Sequence, residues 1–158
     1  MKGDPKVIAA LNDSLKEELL AINQYFLHAE MCENWKYEAL SKYIKKQSID
    51  EMKHAEKLIE RILFLDATPS LVGPTNIKIG KNVQEQIKND LELEYGAVKA
   101  YNERINTCRE ANDHATADFL KNILKDEEDH VDWLEAQLHL IEEVGYARYL
   151  SMQMEPED

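Results

Sequence analysis

The sequence predicts an all-α fold: a four-helix bundle with a long crossover loop between its second and third helices and a short fifth helix at the carboxyl end. Three observations predict it. Glycine and proline are scarce, at five and four of 158 residues, and four of these nine lie between residues 67 and 82. Apolar residues recur with the 3.6-residue period of an amphipathic helix. The chain also repeats itself at an offset of 76 residues, so one helix pair looks like a copy of the other.

The first helix is predicted from about Pro5 to Trp35. Asp4 is the predicted N-cap, and proline suits the first helical position, where its missing N–H would have no partner anyway. The apolar stripe of this helix contains Ile8, Leu11, Leu15, Ile22 and Tyr25. A break near residues 36–38 leads into a second helix, from about Ala39 to Leu65. So short a break implies that the two helices are antiparallel neighbours.

The segment Ala67–Asn82 is predicted to be a crossover loop, because it holds Pro69, Gly73, Pro74 and Gly80. At ~3.3 Å per residue its 16 residues reach about 50 Å. A 28-residue helix is only ~42 Å long at 1.5 Å per residue. The loop can therefore cross the whole bundle and deliver the third helix parallel to the second.

The third helix is predicted from Val83 to about Glu110, and the fourth follows a short turn and ends near Val144. Gly145 is a plausible stop signal for this helix. Residues 146–154 fit the short fifth helix, and we expect residues 155–158 to be frayed.

The net charge of −12 argues against nucleic-acid binding, because phosphates would be repelled, and it favours the attraction of cations. No run approaches the 18 apolar residues of a membrane span, and charges scattered through the first 21 residues argue against a signal peptide. Cys32 and Cys108 form neither a CxxC metal pair nor a disulfide framework. We therefore expect reduced thiols, a cytoplasmic protein, and no nucleic-acid or membrane partner.

One pattern occurs twice at the repeat offset: a glutamate, followed 33 residues later by Glu-x-x-His. The first copy is Glu18, Glu51 and His54, and the second is Glu94, Glu127 and His130. The same offset aligns Tyr25 with Tyr101. A lone Glu-x-x-His is weak, but two of them at equivalent repeat positions are a strong signal.

The pattern is predicted to face the core. At about 100° per residue, Ile44, Ala55, Leu58 and Ile62 all lie within about 40° of Glu51. Apolar residues flank Glu18 in the same way, and the matching faces carry no Lys or Arg. Four carboxylates and two imidazoles are therefore predicted to point into one interior.

Bare carboxylates are costly in an apolar interior, and buried salt bridges here would lack a cationic side chain. Two divalent metal ions would neutralise the four negative charges. Carboxylate oxygen with imidazole nitrogen suits Fe or Mn and tolerates Zn. Glu51 and Glu127, each beside a histidine, are the candidate bridging ligands, and Glu18 and Glu94 are the candidate terminal ligands.

Four segments in and around these motifs are similar to those of a known family. They are MKGD at the start, AINQYFLHA (Ala21–Ala29), SIDEMKHAEKLIERILFL (Ser48–Leu65) and HVDWLEAQLHLIEEVG (His130–Gly145). They resemble bacterioferritins, the haem-containing branch of the ferritin-like superfamily. Glu with Glu-x-x-His is the established di-iron ligand set of ferritin-like proteins. The resemblance covers essentially the whole chain and implies a single ferritin-like di-iron domain over residues 1–158.

The resemblance implies iron storage by a ferroxidase. Each subunit would hold two Fe at the six residues of the repeated pattern, oxidise Fe(II) with O₂ or H₂O₂, and store ferric mineral inside a 24-subunit shell. The shell would be built from twofold dimers of this chain, alone or mixed with a second bacterioferritin subunit. Tyr25 matches a tyrosine beside the family's di-iron centre and is a candidate electron donor. From spacing alone, a core tyrosine with a satisfied hydroxyl is an equal alternative.

Met52 lies near 100° from Glu51 and shares that side of the second helix with Ile49, Ile59 and Leu63. From spacing alone, this second apolar stripe indicates a subunit interface with methionine as adaptable filler. The resemblance implies more: Met52 would be an axial ligand of a haem b shared between two subunits. That haem would aid iron release, with electrons from a ferredoxin-like reductant.

The chain departs from the family at one place, where KKQSIDEMKH replaces YHESIDEMKH. The family's histidine, with the aspartate matching Asp50, forms an inner-surface iron site, and Lys46 stands in its place here. His28, His114 and His139 have no partner at ligand spacing and are expected to be surface or satisfied histidines. Two alternative functions remain: a haem-binding electron-transfer subunit of a mixed shell, and a rubrerythrin-like peroxidase, which would usually carry a Cys₄ module.

Overall fold

Five helices make up the computed structural model, which describes residues 1–71 and 76–156. They are α1 (Pro5–Asn34), α2 (Glu38–Phe64), α3 (Val83–Glu110), α4 (His114–Val144) and α5 (Tyr146–Met152). The described ranges contain no strand, so the all-α prediction is confirmed. The predicted ends of the four long helices lie within one residue of those observed. Gly73 and Pro74 of the predicted crossover, and residues 157–158 of the predicted frayed tail, fall outside the described residues.

Side-chain caps fix where three of the long helices begin. The Asp4 carboxylate accepts a hydrogen bond from the Lys6 backbone N–H at 2.7 Å, as the sequence predicts. Asn82 and Asp113 cap α3 and α4 in the same way. Gly145 ends α4 with φ of +87°, a backbone conformation that side chains disfavour.

The hydrogen bonds between helices give the direction of each one. Ser48 of α2 donates a hydrogen bond to Ile22 of α1, and Ser41 of α2 donates one to Ala29. Residue numbers therefore fall along α2 as they rise along α1. The contacts from α1 to α3 also run backwards, because Glu18 meets Tyr101 and Gln24 meets Asp90. Both α2 and α3 are therefore antiparallel to α1 and parallel to each other. A crossover connection between them follows, as predicted.

A buried histidine fixes the end of the crossover to the bundle. The fully buried His28 accepts a hydrogen bond from the Gly80 N–H at its Nε2, 3.0 Å away, and its Nδ1 donates to Asp90 at 2.9 Å. Burial raises the pKa of Asp90, and His28 and Gln24 counter that rise. Glycine is required at position 80, since a Cβ there would lie 2.4 Å from the Gln86 nitrogen. His28 is thus a satisfied core histidine, as expected.

Two apolar clusters fill the two ends of the bundle. One includes Leu11, Leu15, Leu58, Leu120 and Tyr101, and the other includes Ala21, Tyr25, Ile44, Leu91 and Leu134. The repeated Glu pattern lies between them, near the middle of all four long helices. Both cysteines are free and buried, and burial raises the pKa of Cys32 to about 12.

Candidate metal centre

All six residues of the repeated pattern meet in the middle of the bundle. Their ligand atoms form two groups in which every atom lies within 4.8 Å of the others. One group is Glu18, Glu51, His54 and Glu127, and the other is Glu51, Glu94, Glu127 and His130. All six side chains are buried. Glu51 and Glu127 belong to both groups, which is the position that bridging ligands require.

Each imidazole turns its Nδ1 towards the carboxylates and its Nε2 outwards. The Nδ1 of His54 lies 3.0 Å from Glu127, and the Nδ1 of His130 lies 3.0 Å from Glu51. The Nε2 of His54 is 2.8 Å from the Asp126 carboxylate. The Nε2 of His130 is 3.7 Å from Asp50, too far for a hydrogen bond. A carboxylate on the outer nitrogen orients a histidine and raises its basicity as a ligand.

The buried carboxylates have no cationic side chain to pair with. Within residues 1–71 and 76–156, no Lys or Arg lies within salt-bridge distance of the four glutamates. Several of their buried oxygens, and Nδ1 of both histidines, have no hydrogen-bond partner. Buried polar atoms that converge without bonding to one another are the arrangement expected of ligands that share metal ions. The residues present therefore fit a pair of divalent metal ions.

Burial and crowding of like charge shift the pKa values of the group. Desolvation raises the pKa of Glu51 and Glu94 well above the ordinary range, and the charge of Glu127 raises both further. Burial disfavours the charged imidazoles, yet the surrounding carboxylates raise the pKa of His54 and His130. Burial also opposes ionisation of Glu127, but Glu94 and the two histidines beside it favour its charged form and lower its pKa. Without metal, the cluster is thus stabilised by retaining protons.

This proton retention predicts how the stability of the metal-free protein depends on pH. Glu51, Glu94, His54 and His130 have raised pKa values in the native state, so unfolding releases protons above their ordinary pKa range. Stability should begin to fall as pH rises above about 4.5, the ordinary pKa of the glutamates, and more steeply above about 6.5, where the histidines add to the loss, by about 1.4 kcal/mol per pH unit for each retained proton. The lowered pKa of Glu127 makes stability change with pH in the opposite direction, but only at acidic pH, below the ordinary pKa of a glutamate.

Calorimetry with a chelator present would measure the midpoint of thermal unfolding from about pH 6.5 to 9. The metal-loaded protein is the control. The dependence of its unfolding midpoint on pH should be weaker or reversed, since metal replaces the retained protons. A midpoint that is flat across this range in the metal-free protein would contradict the proton-retaining cluster.

Two tyrosines reach the carboxylates. The Tyr25 hydroxyl donates to Glu94, and the Tyr101 hydroxyl donates to Glu18 at 2.5 Å. Tyr25 was predicted as a candidate electron donor, whereas Tyr101 was aligned with it and given no role of its own. The offset of 76 residues would have found it, since that offset relates the two tyrosines. The same offset relates Asp50 to Asp126, whose contacts with the histidines were also missed.

The centre is approached by a cavity on each side of the bundle. A cavity of about 290 Å³ between α1 and α3 reaches the four glutamates past the small residues Ala21, Gly96 and Ala97. A second, of about 320 Å³ between α2 and α4, is lined by both histidines together with Tyr43, Lys46 and Asp50. Lys46 and Asp50 therefore line the same cavity.

Met52 lies on the outside of the bundle, away from the carboxylates, as its helical angle predicts. Its side chain is 53% exposed and borders a shallow apolar groove with Leu19, Ile22, Ala55 and Ile59. Further exposed apolar residues on α1 and α2 are Phe26, Leu27, Ile49, Leu63 and Phe64. The second apolar face predicted from the sequence is therefore present. Among the described residues, no helix is long and apolar enough to cross a membrane.

The fold and the site define a protein of the ferritin-like class, and the Ferritin family model, a ferritin-like domain, matches residues 8–144. The chain is 42% identical over 149 residues to the bacterioferritin of Mycolicibacterium paratuberculosis, with 94% of each chain covered. It is 42% identical to the bacterioferritin of Brucella melitensis over 158 residues, covering 100% of this chain and 98% of the relative. The match to the Streptomyces coelicolor bacterioferritin is 43% over 155 residues, covering 98% and 93%. The chain belongs to the bacterioferritin family.

Proposed function

We propose that this protein stores iron, and that it oxidises Fe(II) to Fe(III) at the buried carboxylate–histidine centre before ferric mineral forms inside a shell. The observation that carries the proposal is the pair of overlapping four-residue groups in which Glu51 and Glu127 are shared. Carboxylate oxygen and imidazole nitrogen are ligands suited to iron. The relatives at 42% identity are bacterioferritins, which supports the same function.

In the proposed site, Glu18 and His54 hold one iron, Glu94 and His130 hold the other, and the two shared glutamates bridge them. Two adjacent irons supply one electron each, which converts O₂ to H₂O₂, or H₂O₂ to water, with two protons taken up. Asp126 holds His54 with its Nδ1 facing inward. The packed apolar clusters close the centre towards the two ends of the bundle.

We further propose that Met52 of each of two subunits ligates one shared haem b. A thioether is a soft ligand that favours ferrous haem and raises its potential. The half-exposed Met52 in an apolar groove fits a flat apolar cofactor at a subunit interface. The haem would pass electrons inward from a ferredoxin-like reductant for iron release. The inner-surface iron site would be weakened, because Lys46 puts a cation beside Asp50.

The proposed assembly is a cytoplasmic 24-subunit shell of twofold dimers, in which each chain is one ferritin-like di-iron domain over residues 1–158. The test is the mass in solution together with the absorption spectrum of the purified protein. A 24-subunit mass with a Soret band is the expected result. A monomer or dimer would count against storage, and a full shell without a Soret band would count against the haem.

One alternative is a haem-carrying electron-transfer subunit whose partner subunit oxidises the iron in a mixed shell. The presence of all six candidate ligands opposes this alternative. Fe(II) oxidation by the pure shell should therefore be as fast as oxidation with an added partner subunit. A rubrerythrin-like peroxidase is opposed by the cysteines, because the two buried thiols cannot form a Cys₄ module.

A further inference from the structure

The two tyrosines at the centre form a matched pair. Each projects from one of the antiparallel helices α1 and α3 and donates its hydroxyl hydrogen to the terminal glutamate of the other helix. Tyr25 donates to Glu94, and Tyr101 donates to Glu18. Neither side chain has any solvent-exposed area. The repeat has therefore placed one phenol beside each of the two proposed iron positions.

An ordinary core tyrosine needs only an acceptor for its hydroxyl, and this protein contains one for comparison. Tyr149 is equally buried, and its hydroxyl donates to the Gln137 side chain at 2.7 Å, away from the carboxylates. Tyr101 instead bonds to a carboxylate of the candidate ligand set. That contact gives a phenol both a nearby electron acceptor, when iron is bound, and a base for its proton.

We propose that Tyr101 is a second redox-active tyrosine, which gives one electron and its hydroxyl proton during O₂ reduction, in parallel with Tyr25. The inference rests on the proposed ferroxidase function. Two Fe(II), two tyrosines, one O₂ and two further protons yield two Fe(III), two neutral tyrosyl radicals and two waters. Four electrons are transferred and the charges balance, and no H₂O₂ is released.

The surroundings of the two phenols differ in one respect. Tyr101 lines the cavity between α1 and α3, which opens to solvent, whereas Tyr25 is not among the residues lining it. A small reductant that enters this cavity would come closer to Tyr101 than to Tyr25. We therefore expect added ascorbate to quench the Tyr101 radical faster than the Tyr25 radical.

The test uses the assembled metal-free protein, loaded with two Fe(II) per subunit and mixed with excess O₂. The variants are Tyr101→Phe, Tyr25→Phe and their combination, with Tyr149→Phe as the matched buried control. Rapid-freeze EPR counts tyrosyl radicals, and an oxygen electrode records the O₂ that catalase returns from any H₂O₂. Cobalt(II) titration reports separately how many metal ions each variant binds, so radical yield is expressed per bound metal pair.

Each single variant leaves only three electrons per centre, so O₂ cannot be reduced fully to water there. The radical signal should therefore fall by at least half and H₂O₂ should appear, while Tyr149→Phe should keep the whole signal and release no H₂O₂. The double variant should show no radical, and catalase should return O₂ because only the two iron electrons remain. A wild-type radical yield in Tyr101→Phe, or a double variant that releases no H₂O₂, would overturn the inference. Absence of Fe(II) oxidation in the unaltered protein would instead overturn the proposed function.

Discussion

Replacing Glu51 with glutamine is expected to slow rapid Fe(II) oxidation by about a hundredfold, because loss of a direct ligand should cost at least as much as the roughly 10–100-fold effect of losing a hydrogen-bond partner of a ligand. Glu51 belongs to both four-residue groups, so its substitution weakens both proposed iron positions at once. The amide keeps the shape of the side chain but carries no charge and bridges two cations poorly. Stopped-flow absorbance of the ferric product, with two Fe(II) added per subunit, measures the effect.

Glu103→Gln is the matched control, because it makes the same chemical change on the exposed surface of α3. It should oxidise iron at the unaltered rate. His130→Ala should also be slow, since it removes the nitrogen of the second group. A Glu51→Gln or His130→Ala protein that kept the full rapid phase would refute the assignment of the centre.

The same Glu51→Gln change should raise the thermal stability of the metal-free protein, or leave it unaltered. Burial and the charges of Glu18 and Glu127 raise the pKa of Glu51, so its neutral form is favoured in the fold. Glutamine resembles that neutral form. A variant that is inactive yet equally stable has lost a ligand, whereas one that unfolds at lower temperature has lost its structure.

Replacing Met52 is expected to change the haem. Met52→Ala should abolish the Soret band of the purified shell, and Met52→His should replace the bis-methionine spectrum and lower the haem potential, because imidazole favours ferrous haem less than a thioether does. Near-infrared magnetic circular dichroism identifies the axial ligands, and a pyridine haemochrome assay gives the haem content.

Met154→Ala is a suitable control for this experiment, since Met154 is also 53% exposed but lies beyond α5. Its haem content should match that of the unaltered protein. Wild-type haem content in Met52→Ala would show that this thioether is not the ligand. An unchanged bis-methionine spectrum in Met52→His would lead to the same conclusion.

The positions of the six candidate ligands could be predicted because each lies on the apolar stripe of its own helix and the repeat states the pattern twice. Periodicity within one helix gives the direction of a side chain such as Glu51 or Met52, and the structure agrees with both directions. The helix ends followed from local signals, such as the Asp4 cap and the Gly145 stop.

Contacts between helices were harder to predict from the sequence, because they depend on the axial offset between neighbouring helices. The meeting of His54 with Asp126 needs the offset between α2 and α4, which no local pattern contains. The partners of His28 come from another helix and from the end of the crossover. Tyr101 could have been predicted from the repeat, which aligns it with Tyr25. It was not, because an aromatic residue on an apolar stripe is also common in an ordinary hydrophobic core.

Because the pKa values of Glu51 and Glu94 are raised, a metal ion that enters the proposed centre must displace protons from these carboxyl groups. Each metal ion would take the place of protons that hold the metal-free cluster together, so loading the proposed centre is an exchange of protons for metal ions. Loading should therefore acidify a weakly buffered solution, and iron affinity should rise with pH.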